Sequence, residues 1–258
     1  MQYHLIALVA AIAMSLSACK DDPKPETGDG GVLDQVAAST MAEQAAEEAA
    51  AAAESAAAAL PQPDPDKPLS GYPELTSGNQ IMFLYVAASK LPPDYSELAE
   101  RFSSEYRGTD DSFRRKDLLK AITPQLDQKI AEATASPYAW MEVEDASLRA
   151  YDFDRGGFPV GEFSGRGSRY FFDNPEYRIG WANPGQVDFA PVGDEAAARK
   201  IEAMRNAYGN TPRLKVYFFA QSADLSEQKV NALVTAVQIV DKSGRVLAEY
   251  RPGAGGAK

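Results

Sequence analysis

The chain is poor in the residues that carry most side-chain chemistry. Among its 258 residues it has one cysteine, Cys19, and one histidine, His4. A lone cysteine excludes a disulfide within the chain, and one of each excludes a structural zinc site of the Cys/His kind. A basic excess is also missing. The 37 acidic residues outnumber the 26 basic ones for a net charge of −11, which argues against nucleic acid as a partner. There is no internal repeat. Gly165-Arg166-Gly167 lacks the strand-glycine-helix context of a nucleotide fingerprint and reads as a flexible turn. Residues 5–16 are apolar or small throughout, about 12 positions, whereas a membrane-spanning helix needs roughly 18 or more.

What is present at the N-terminus is more specific. The short apolar run closes on Leu16-Ser17-Ala18-Cys19, and an acidic stretch containing proline and glycine follows at once. A core helix there would have no domain to pack against, so the run reads as a signal-peptide core. With Cys19 at its end it resembles the lipobox of a bacterial lipoprotein precursor. The resemblance covers about the first 20 residues and implies that residues 1–18 are removed and that Cys19 is acylated. Two or more acyl chains hold a protein stably to a bilayer, where one is marginal. Lys20, in a place where aspartate is the usual inner-membrane retention signal, implies an outer-membrane address facing the periplasm. Removal of residues 1–18 also discards His4. By this resemblance the mature chain has no histidine and no free thiol, which excludes Ser-His, Cys-His and His-metal chemistry within one chain.

Residues 19–70 read as the acylated cysteine and an acidic tether. Residues 37–59 hold 14 alanines in 23 positions without an apolar stripe to bury, so they predict a solvated, partly helical spacer. Alternating prolines over 61–68 predict a stiff, extended connector. Residues 20–70 carry a net charge of −8 and residues 71–258 only −3, so the acidity belongs mainly to the tether. Without disulfides, residues 71–258 must form one domain with a sizeable hydrophobic core.

That domain begins helical. Residues 79–89 are apolar nearly all round and predict a buried helix ended by Pro92-Pro93. Asp94 and Glu97 open a second helix, with Tyr95, Leu98, Phe102 and Tyr106 on one face and Gly108 at its end. A third starts near Asp110 or Asp111, carries a stripe of Phe113, Leu118, Ile122, Leu126 and Ile130, and should kink or break at Pro124. From Tyr138 the period shortens. Residues 140–144, 147–153, 158–160, 170–172, 177–181 and 187–189 predict short strands. Asp194 then caps a helix with Ala197, Ile201, Met204 and Tyr208 on one side and Gly209 at its end. Residues 214–220, 231–240 and 245–250 predict closing strands, the last two joined as a hairpin through Asp241-Lys242-Ser243-Gly244. Helices first, then strands with one inserted helix, predict an α+β fold with a largely antiparallel sheet.

Three patterns could carry function. Asp152-Phe153-Asp154-Arg155-Gly156-Gly157 has a calcium-loop flavour, but Gly156 and Phe163 stand where such a loop needs oxygen ligands, so a hairpin turn is the simpler reading. Asp152, Asp154, Glu162, Asp173 and Glu176 could supply the paired carboxylates of a glycan hydrolase, which suits an address near peptidoglycan. Arg166, Arg169, Tyr170, Phe171, Phe172, Tyr177, Arg178 and Trp181 form the densest arginine and aromatic stretch, a composition shared by binding surfaces and by a core rimmed with arginine, and the candidate binding residues in it are the six other than Phe171 and Phe172. Arg114-Arg115-Lys116 reads as a solvated helix face or a contact for anionic lipid headgroups. The expectation is a non-catalytic interaction or assembly domain of the cell envelope, with no cofactor and no metal, held to the membrane through Cys19. Its partner would be an envelope protein or peptidoglycan. The alternatives are a carboxylate-dependent glycan hydrolase and a small-ligand or ion-binding domain.

Overall fold

The computed structural model describes residues 59–253 except 145, 166 and 208–210. The signal peptide, Cys19, the alanine-rich spacer to residue 58, Arg166, Tyr208 and Gly209 lie outside the described residues.

Helix α1 (Gly78–Ser89) starts one residue earlier than the apolar run. Ser77 closes a capping box in which its hydroxyl accepts the Gln80 amide and Gln80 accepts the Ser77 amide at 3.0 Å. Ile81, Met82, Phe83 and Leu84 are all buried, as a helix without a polar face requires. Helix α2 (Tyr95–Phe102) is capped by Asp94, whose carboxylate accepts the Ser96 and Glu97 amides at 3.0 Å each. The predicted second helix is cut at Ser103. That residue is extended and caps a further turn, α3 (Ser104–Arg107), by accepting the Tyr106 amide. A serine hydroxyl competes with the helix for backbone partners, which is what lets it end one helix and start another.

Helix α4 (Ser112–Ala135), capped by Asp111, runs unbroken through Pro124. Pro124 is solvent-exposed, and so is Lys120, whose carbonyl loses its intrahelical donor. Water can satisfy that carbonyl, so the missing bond does not end the helix. Leu118, Ile122, Leu126 and Ile130 pack on the core, but Phe113 is 83% exposed. The five-residue step from Phe113 to Leu118 is about 140° of helix rotation, so Phe113 stands off the stripe.

The strands are β1 (Tyr138–Val143), β2 (Gly157–Pro159), β3 (Ser168–Arg169), β4 (Arg178–Trp181) and β5 (Phe189–Pro191). Helix α5 (Glu195–Arg205) follows, and then β6 (Arg213–Asp224), β7 (Lys229–Val240) and β8 (Val246–Tyr250). The main sheet has the order β1-β6-β7-β4-β3, and β2 pairs with β5 apart from it. Strand β7 is the axis of the fold. One edge pairs with β6 along its length, while the other takes β4 in parallel over its first part and β8 antiparallel over its last. The fold is α+β with a mostly antiparallel sheet, and the closing β7–β8 hairpin stands as predicted.

Two predicted strands are not strands, and a third, 187–189, is displaced to β5 at Phe189–Pro191. Residues 147–153 make only isolated bridges, Leu148 with Val160 and Asp152 with Gly157. The Tyr151 amide turns instead to the Glu202 carboxylate. Residues 170–172 leave the sheet, where pairing stops at Arg169.

The sheet has two unlike faces. Leu214, Val216 and Phe218 of β6 and Ala232, Val234, Val237 and Ile239 of β7 face the main core with α1 and α4. On the other face Tyr138 and Trp140 of β1 meet Tyr217 and Phe219 of β6, with ring centroids 5.1–6.1 Å apart. Tyr72 stands edge-on to Tyr138 and Tyr217 there. Residues 61–72, read in part as a connector, are laid along this face. Gln221 donates to the Pro61 carbonyl at 3.1 Å, the Asp64 amide donates to the Tyr138 hydroxyl at 2.7 Å, and Lys67 sits over the Tyr138 ring.

Candidate functional site

Residues 170–177 join β3 to β4, and two aromatic rings project from this connection. Tyr170 is 47% exposed and Phe172 is 91% exposed, and they hold each other edge-to-face with centroids 5.7 Å apart. Between them Phe171 packs on the main core. The alternation that suggested a strand therefore gives the correct sides, although no ladder continues.

Four contacts fix the backbone beneath these rings. The Asp173 carboxylate accepts the Gly78 amide at 2.9 and 3.1 Å, placing a negative charge at the start of α1. Asn174 is buried and donates to the Asn79 side chain at 3.1 Å. The approach is so close that a Cβ on Gly78 would stand 2.7 Å from the Asn174 carbonyl oxygen. Glu176 pairs with Arg101. Tyr177 is 2% exposed, lies against Tyr85 and directs its hydroxyl to Glu97. Burial first, and then the Glu97 carboxylate, push the Tyr177 hydroxyl far above the usual tyrosine range, so the ring stays neutral.

Arg169 and Trp181, the last residues of β3 and β4, meet on one carboxylate. Glu162 accepts Arg169 Nε at 2.9 Å, Arg169 Nη2, and Trp181 Nε1 at 3.0 Å, and its side chain is 4% exposed. The Trp181 ring stands edge-on to Phe163 and Phe218. Of the six residues singled out in this stretch, Arg166 lies outside the described residues. Tyr177 belongs to the core, and Arg169 and Trp181 are joined to each other through Glu162. Tyr170 and Arg178 face solvent, and Arg178 lines a polar cleft of about 740 Å³ with Ser168, Glu176 and the β6–β7 turn. Sequence reasoning placed Phe172 in this stretch but did not single it out with the six. The signal was available, because in an alternating segment Phe172 shares the side of Tyr170.

The carboxylates considered for glycan hydrolysis are mostly engaged in structure. Glu162 holds Arg169 and Trp181, Asp173 holds Gly78, and Glu176 holds Arg101. Asp152 spends one oxygen on the Asp154 and Arg155 amides, closing a turn below Gly157. Among the described residues no three histidine, cysteine, aspartate or glutamate side chains are grouped to hold a metal ion. Arg114 pairs with Glu105, and Arg115 pairs with Glu100 over the Tyr106 ring. No helix among the described residues is long and apolar enough to cross a membrane. Comparisons with family models, curated proteins and solved structures find no match for this chain.

Proposed function

We propose that this chain is a lipid-anchored protein of the bacterial outer membrane, facing the periplasm, whose α+β domain holds an envelope partner without catalysing a reaction. The observation that carries the binding role is the exposed Tyr170–Phe172 pair on a backbone fixed by Asp173, Asn174, Glu176 and Tyr177. Two stiff rings on an already ordered loop lose little conformational freedom on binding, so more of their contact energy appears as affinity. Arg178, the first residue after this loop, supplies an exposed positive charge at the polar cleft. The hydrolase alternative draws no support from Glu162, Asp173 and Glu176, because an arginine, a tryptophan N–H or a helix amide already occupies each. The address rests on the lipobox resemblance at Cys19.

A photoreactive side chain at Phe172 in the full chain, expressed in its native host, tests the site. The expected result is an adduct of discrete mass that disappears when Tyr170→Ala is added. The same probe at Phe113, an equally exposed ring off any pinned loop, should give none. Equal adducts at both positions, or none at 172, would end the reading. The anchor is tested separately by the mass of the mature chain, which should show removal of residues 1–18 and two or more acyl groups. Cys19→Ala should release the protein from the membrane.

A further inference from the structure

A second exposed ring stands far from the 170–177 loop in sequence. Phe153 is 89% exposed at the tip of the turn closed by Asp152 and Gly157, edge-on to Tyr151 with centroids 5.0 Å apart. Tyr151 is itself held by Phe158, which is fully buried, and by a hydrogen bond to the Val192 carbonyl. Phe153 is thus a rigid apolar knob.

Beside the knob runs a groove of about 720 Å³ along α5. Small residues, Gly193, Ala198 and Ala203, line it beside Tyr151 and Phe153, so another element can approach the helix backbone closely. Its rim is charged. Lys200 is drawn aside to Asp241 at 3.0 Å, and the other charges of α5 run Glu195, Arg199, Glu202, Arg205 with alternating sign, paired within the helix as Glu195 with Arg199 and Glu202 with Arg205. Glu195 and Arg199 are 77% and 79% exposed, where an ion pair contributes little and exchanges partners at small cost.

This charge sequence is its own complement when reversed. A second α5 laid antiparallel, with its two-fold axis near residue 200, sets Arg199 against Glu202 of the second copy and Glu195 against Arg205 of that copy. A parallel arrangement would set like charges together. The same axis carries the Phe153 knob of each copy toward the groove beside the other's α5, since knob and groove are neighbours on one surface. A patch in which projection and recess adjoin is what an isologous contact requires. We propose that the chain pairs with a second copy of itself through α5 and the Phe153 turn. This surface is separate from the 170–177 loop and stands whether or not that loop binds a partner.

Sedimentation velocity of the purified full chain in detergent, over a range of concentrations, tests the pairing. The parent should sediment as a reversible dimer, and Phe153→Ser should raise its dissociation constant at least about tenfold, as loss of a central aromatic anchor does. Because that ring is exposed in the single chain, the variant should keep the parent's circular dichroism, and its melting temperature where both are dilute enough to be monomeric. Ala203→Cys treated with a short bis-maleimide should give a covalent dimer beyond any formed by the parent, whose one cysteine is Cys19, and Phe113→Cys should not. A monomeric parent, a dimer indifferent to Phe153→Ser, or equal cross-linking at 113 and 203 would overturn the proposal.

Discussion

The two faces of the sheet are closed by different means. The inner face is mostly aliphatic, with Phe218, Trp181 and Tyr250 as its aromatic residues, and helices cover it. Each helix satisfies its own backbone, so it needs only side-chain packing to stay in place. The outer face is a row of aromatic rings, Tyr138, Trp140, Tyr217 and Phe219, and its cover is an extended segment rich in proline. Such a segment has few amide donors to satisfy, and its stiffness lowers the entropy lost on docking. The rings then supply what little polar chemistry it needs, as when the Tyr138 hydroxyl accepts the Asp64 amide. A helix roof and a proline strap are two solutions to one problem, set by the side chains beneath them.

The hardest blow to this contrast is a paired truncation. Phe218→Ala empties a fully buried site under the helices and should cost about 3–5 kcal/mol. Its neighbour Tyr217→Ala, on the strapped face, should cost about 2 kcal/mol because the strap can settle onto the gap. Equal losses in denaturant titrations would show that the strap packs as tightly as the helices. Tyr72→Ala should likewise cost about 2 kcal/mol, since it removes the ring wedged between Tyr138 and Tyr217. It should also open residues 61–72 to limited proteolysis before the helices are cut.

Alkaline pH separates the faces by a smaller margin. Burial raises the hydroxyls of Tyr72 and Tyr217 on the strapped face. It raises Tyr177 and Tyr250, in the main core, much further. In the unfolded chain each ionises near about 10, so the folded form keeps protons that the unfolded form has lost. Stability is therefore full below about pH 10 and falls as pH rises beyond it, less steeply in Tyr250→Phe. Spectrophotometric titration should show the strapped tyrosines ionising first and the core tyrosines only with unfolding. One unresolved step, complete before unfolding, would contradict the burial difference. The mildest probe is Tyr138→Phe, which deletes the acceptor for the exposed Asp64 amide and should cost about 0.5 kcal/mol in a thermal melt.

Sequence reasoning reached the helices because their ends are written locally. Ser77 and Ser103 were the exceptions among the caps, whereas Asp94 and Asp111 each accept the amides two and three residues on, and Asp194 accepts that of Ala196. The long strands β6, β7 and β8 were legible from their β-branched and aromatic content. The failures share a cause. Residues 147–153 alternate like a strand, yet whether a ladder forms depends on a neighbour supplied by residues far away. Pro124 reads as a breaker until the exposure of Lys120 is known. In the candidate site, Tyr177 and Trp181 could not be told from Tyr170 and Phe172 by composition. The α1 amide at Gly78, the Arg101 side chain and the Glu162 carboxylate decide which rings turn inward, and all three come from other segments.

The strap also fixes where the rest of the polypeptide meets the domain. A pull arriving from the N-terminal side is borne first by Gln221 on the Pro61 carbonyl, Tyr138 on the Asp64 amide and the Lys67 ammonium over an aromatic ring. These contacts are few and lie near solvent, so they give way before any strand of the sheet carries load. Under the proposed anchor at Cys19, residues 61–72 would act as a mechanical fuse, giving length under tension and reseating on the rings when the tension ends.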